Sequence, residues 1–105
     1  MILTELWLSF ASVMRSYAAV AGPPAEVAAT EDSIIVTCGA AQLAMYVDPQ
    51  SGAGNWHMQR GGAIAMQGAF ALLPEGRIEL EGSALDLDHA AIDFVAQVKQ
   101  AGNER

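Results

Sequence analysis

The chain has 105 residues, 52% hydrophobic and only 16% charged, with a formal net charge of −7. A composition this apolar excludes a disordered chain, the length supports a single domain over residues 1–105, and one cysteine excludes a disulfide scaffold. The five basic residues, Arg15, Arg60, Arg77, Lys99 and Arg105, are scattered, so no cluster exists to neutralise phosphates, and neither nucleic acid nor an anionic membrane surface is an expected partner.

In chain order, the first element is a helix over about residues 3–20. Leu3, Leu6, Trp7, Phe10, Val13, Met14, Tyr17 and Val20 fall on one arc, and Thr4, Glu5, Ser9, Ser12, Arg15 and Ser16 on the other. Residues 2–21 end in small residues, as a secretory signal does. They lack a basic start and are interrupted by Arg15, so the segment reads as part of the domain rather than as a leader or a membrane span. Gly22-Pro23-Pro24 is expected to end the helix, because proline cannot continue it.

The helical period then gives way to alternation. Ser33 to Cys38 is a β-branched run. Ala41 to Val47 turns Leu43, Met45 and Val47 inward, and Asn55 to Gln59 turns Trp56 and Met58 inward. Ala63 to Leu73 places Ile64, Met66, Phe70 and Leu72 on the inner side, with Gly68 marking a bend or bulge among them. Arg77 to Glu81 turns Ile78 and Leu80 inward, and beyond Gly82 the phase slips. Asp88 reads as the N-cap of a last helix whose apolar face holds Ala91, Ile92, Phe94, Val95 and Val98. Lys99 sits where a cation suits that helix's dipole, and Gly102 is the expected stop. Trp56 is expected in the core beside Phe10 and Val95.

Short turns between alternating strands specify antiparallel neighbours. The expected fold is α+β: a two-layer sandwich in which a meander of four to six strands is flanked in sequence by an N-terminal and a C-terminal helix, both packing on one face. This order, with Pro49, Trp56 and Gly61-Gly62 around the middle strands, resembles the frataxin fold in topology. That family's function lies in an acidic first helix, where this chain has Glu5 alone, so the resemblance implies a fold and not iron binding.

Candidate chemistry is sparse. His57, on the polar side of its strand near Tyr46, and His89 are the side chains suited to neutral-pH acid–base work. Asp86, Asp88 and His89 have types that can ligate a metal, although acids also gather at helix starts as caps. Glu79 and Glu81 alternate on one strand face. Cys38 is expected to be buried and inert. No cofactor motif is present, and none is expected to bind.

The unusual feature is a small-residue stripe: Ala63, Ala65, Ala69 and Ala71 line the outward side of the longest strand, with Ala44 on its neighbour. A solvated strand face normally carries larger polar residues. Such a stripe suits close approach of another copy, unless residues 25–32 of the same chain cover it. The sequence therefore reads as a small acidic interaction or ligand-binding protein, homodimeric, cytoplasmic, with Tyr46, His57 and the alanine stripe as its binding surface. A basic protein or a small apolar ligand would be its further partner. A small enzyme using His57 or His89 with nearby carboxylates is the alternative.

Overall fold

A computed structural model describes residues 2–20 and 25–103. Helix α1 (Ile2–Ala18) is followed by strands β1 (Glu26–Ala29), β2 (Ser33–Cys38), β3 (Ala41–Val47), β4 (Ala53–Arg60), β5 (Ala63–Leu73), β6 (Arg77–Leu80) and β7 (Ser83–Asp86), then helix α2 (Leu87–Asn103). The strands form one seven-stranded antiparallel sheet in chain order, with both helices on one face. The α+β architecture is as expected. The count exceeds four to six because the four-residue β1 and β7 are too short to show a period. The Gly22-Pro23-Pro24 stop lies outside the described residues.

The core lies between helices and sheet. Trp7, Phe10, Ala11, Met14 and Ala18 recur on one face of α1 and are buried; the polar arc with Glu5, Ser9, Ser12 and Arg15 is exposed. Ile34, Val36, Leu43, Met45, Met58, Phe70, Leu72 and Ile78 meet them from the sheet, and Phe94, Val95 and Val98 from α2. The fully buried tryptophan is Trp7, which stacks on Phe70 at 5.8 Å with an interplanar angle of 4° and tilts against Phe10 at 6.0 Å. Gly54 makes this possible: a Cβ there would overlap the Phe70 ring and the Tyr46 carbonyl.

Several expectations are corrected. Trp56 does face the helices but is only half-buried, and its ring partner is Phe94, edge-on at 5.4 Å. Ile92 is 42% exposed because the apolar face of α2 centres on Ala91, Phe94, Val95 and Val98. Val20 lies beyond the end of α1 and is 57% exposed. Helix α2 starts at Leu87, so Asp88 sits in its first turn rather than capping it, and the helix runs through Gly102. Gly102 instead lets α2 touch the sheet, since a Cβ there would overlap the Cys38 carbonyl. Lys99 is buried and donates from Nζ to the Val20 carbonyl at 2.5 Å, tying α2 to the chain leaving α1; its aliphatic stem is what makes that burial tolerable.

The largest correction is in β5. Met58 pairs with Met66 but Gln59 pairs with Ile64, which leaves Ala65 as an extra residue. The bulge is therefore at Ala65 and not at Gly68, and it reverses the facing of everything before it. Gly68 provides space instead: a Cβ there would come within 3.0 Å of Trp56 Nε1.

Candidate functional site

Directly paired residues in an antiparallel ladder share a face, so the register assigns every side chain. On the outer face, away from the helices, Ala69 lies in the row Ser33–Tyr46–Asn55–Ala69, and Ala71 between Ala53 and Glu79. Both alanines are where the alternation put them. Ala63 and Ala65 are not: Ala63 pairs with Arg60, on the helix side, and Ala65 lines a recess with Met58, Met66 and Gln97. In their place Ile64 joins the outer face opposite Gln59 and is 55% exposed. The stripe is thus broken at the bulge. Residues 26–29 pair with β2 as a strand and do not cover what remains.

Tyr46 and His57 come together at the centre of this face, their ring centroids 6.3 Å apart. They are diagonal neighbours, because Tyr46 pairs with Asn55 and His57 with Ala44. Ala44, between Ile35 and His57 in its row, is 3% exposed despite facing outward. Across β2 to β5 the outer face presents serine, isoleucine, threonine, glutamine, alanine, tyrosine, asparagine, histidine and leucine, and no charged side chain. Charge returns at Glu26 on β1 and at Glu79, Arg77 and Asp86 on β6 and β7.

The histidine and carboxylate candidates do not converge. Among the described residues neither His57 nor His89 forms an ion pair with a carboxylate. Asp86 lies toward Arg77 instead, Oδ1 to Nε 3.8 Å, and is largely in solvent. Asp88 and His89 are exposed on the first turn of α2, and no group of three or more metal-ligating side chains gathers among the described residues. Glu79 stays on the outer face, while Glu81 leaves the strand for the β6–β7 turn. Cys38 is buried against Gly102.

A second surface, which the alternation does not reveal, lies on the opposite face. Trp56, Met66, Gly68, Leu80, Phe94 and Gln97 line an open recess of about 250 Å³, together with Ala69 and the acidic residues Glu81 and Asp93. An adjoining recess of about 270 Å³ shares Met66 and Gln97 and adds Met58, Arg60 and Gln100. Met66, expected in the core, is 44% exposed here. One signal for this surface was available in the turn positions. A strand confined between Gly76 and Gly82 is too short to cover one running from Ala63 to Leu73.

No helix among the described residues is long and apolar enough to cross a membrane. Neither a protein-family model, nor a curated protein, nor a solved structure matches the chain. The likeness to frataxins therefore remains one of element order.

Proposed function

We propose that this protein acts by contact rather than catalysis, as a homodimer whose copies meet through the outer face of the sheet. One observation carries the reading: in a chain of net charge −7, the outer face of β2 to β5 has no charged side chain. Two copies approaching elsewhere bring acidic surfaces together; approaching here they do not. Four strands about 4.8 Å apart and about 20 Å long give a neutral centre of roughly 400 Å². A standard interface takes about 800 Å² from each partner, with a charge-poor core and a polar rim, and the charged outer strands supply that rim. A two-fold arrangement lets the patch meet itself, with Tyr46 and His57 near the axis. The one cysteine, free and buried, fits a reducing compartment such as the cytoplasm.

Sedimentation at micromolar concentration tests this. The expected mass is twice 11.0 kDa, falling to the monomer for Ala69→Glu and unchanged for Asp93→Ala, which lies on the other face. A wild-type monomer, or a dimer indifferent to Ala69→Glu, removes the reading.

A further inference from the structure

We infer that the open edge of β5 and the flank of α2 form a slot that takes an extended basic peptide as an added strand. This builds on the reading of the chain as an interaction protein, but it uses the face opposite the proposed dimer contact.

The first observation is an unpaired edge. Strand β5 pairs with β4 from Ala63 to Ala71, but with β6 only from Phe70 to Leu73. Residues Ala63–Ala69 therefore have a strand on one side only. Past the bulge, Met66 to Ala69 keep regular register with β4, so their outward backbone groups are set for another strand. Natural edges are guarded by charge, proline, brevity or a bulge that twists the strand away, and here the bulge at Ala65 guards only the start of the edge, leaving Met66–Ala69 in regular register. The end strands of this sheet follow that rule, β1 and β7 each having four residues and carrying Glu26 and Asp86. The Ala63–Ala69 edge carries neither charge nor proline.

The second observation is what lies beside that edge. A strand added there would continue the line of β6, and every second side chain would point toward the helix layer. On that side are the two recesses, each about the size of one long side chain and below the range of small-molecule pockets. In the first, Trp56 and Phe94 offer aromatic surface to an aliphatic stem, and Glu81 and Asp93 offer carboxylates to its cationic end. Arginine or lysine meets both demands. The second, with Met58 and Met66 in its lining and Arg60 present, takes an apolar side chain.

The third observation concerns Glu81. It holds φ at 51°, the only non-glycine residue with positive φ among those described, and Gly82 follows at 82°. A two-residue hairpin loop of this kind prefers asparagine, aspartate or glycine at its first position. Glutamate satisfies the turn less well than any of these, yet it is the residue that stands here, in the lining of the recess. Pairing along an edge with alternate side chains in pockets is how strand addition combines affinity with selectivity.

The test titrates fluorescein-labelled eight-residue peptides into the protein: at every second position, on the side that faces the helix layer, lysine or arginine alternates with leucine or phenylalanine, and threonine fills the positions between. Binding is expected to saturate, to shift the Trp56 emission, and to slow amide exchange within Ala63–Ala69. Glu81→Gln with Asp93→Asn should weaken it at least tenfold and flatten its salt dependence. Peptides with glutamate for the basic residues, or with alternate backbone nitrogens methylated, should not bind. The inference is overturned by absence of binding at 1 mM, by equal binding of the methylated peptide, or by binding without protection of Ala63–Ala69. It is equally overturned if that segment is already protected in the free protein at high concentration, which would mean a second copy fills the edge. Repeating the titration on Tyr46→Glu, which disrupts the proposed dimer contact from β3 and lies off the β5 edge, separates the two proposals, because loss of the dimer should leave peptide binding intact.

Discussion

The two ends of β5 have nearly the same composition and opposite fates. From Phe70 to Leu73 the strand has β6 on one side, β4 on the other for its first residues, and Trp7 stacked on its inner face. From Ala63 to Gln67 every residue is exposed. Alternation of alanine with larger apolar residues runs through both halves, so the difference does not come from composition; part of it is the bulge at Ala65, which turns Ile64 outward. The rest comes from the shortness of β6 and the path of the helices. Apolar surface contributes to stability only where something covers it; where nothing does, it is available for contact.

The largest test of this contrast is truncation at each end. Phe70→Ala, or Trp7→Ala beneath it, should cost about 3–5 kcal/mol, as for other buried aromatics. Met66→Ala should cost less than about 1 kcal/mol, since that side chain is already 44% exposed. Urea unfolding measures both, and comparable losses would mean the two halves are equally packed. Next come the glycines that neighbour the two tryptophan clusters. Gly54→Ala drives a methyl into the Phe70 ring and the Tyr46 carbonyl and should cost about 1–3 kcal/mol. Gly68→Ala meets only the edge of the half-buried Trp56, which can give way, and should cost well under half of that.

A smaller effect sharpens the role of the helix layer. Lys99→Met keeps the stem but removes the donor to the Val20 carbonyl, and should cost about 1–2 kcal/mol, as for bonds from charged groups. Thermal unfolding would register this as a fall of several degrees; an unchanged midpoint would show that this tie between the helices adds nothing. The smallest expected effect is Ile64→Thr, within about 0.5 kcal/mol of wild type. A large loss there would return Ile64 to the core and remove the bulge.

Much of the fold was legible because its signals are local. The apolar arc of α1, the alternation in β2 to β4, and the turns at Gly61-Gly62 and Pro74-Glu75-Gly76 each occupy a few consecutive residues. The site was legible only in part. Tyr46, His57, Ala69 and Ala71 share the outer face as their parity requires, but Ala63, Ala65, Ile64 and Met66 do not fit a single alternation. One extra residue in β5 reverses side-chain facing, and nothing in Ala63-Ile64-Ala65-Met66 marks which residue is extra.

By itself, the sequence determined two amphipathic helices around an antiparallel meander, which side of most strands faces the helices, and an acidic surface without a basic cluster. These follow from periodicity and charge, which a chain carries whatever its neighbours are. Only the tertiary structure decided that Trp7 rather than Trp56 anchors the core, that Lys99 ties α2 to the chain leaving α1, and that half of β5 is left with an open edge. Those outcomes depend on strand offsets and on where two helices cross a sheet. They are relations between residues far apart in the chain, and no local pattern encodes them.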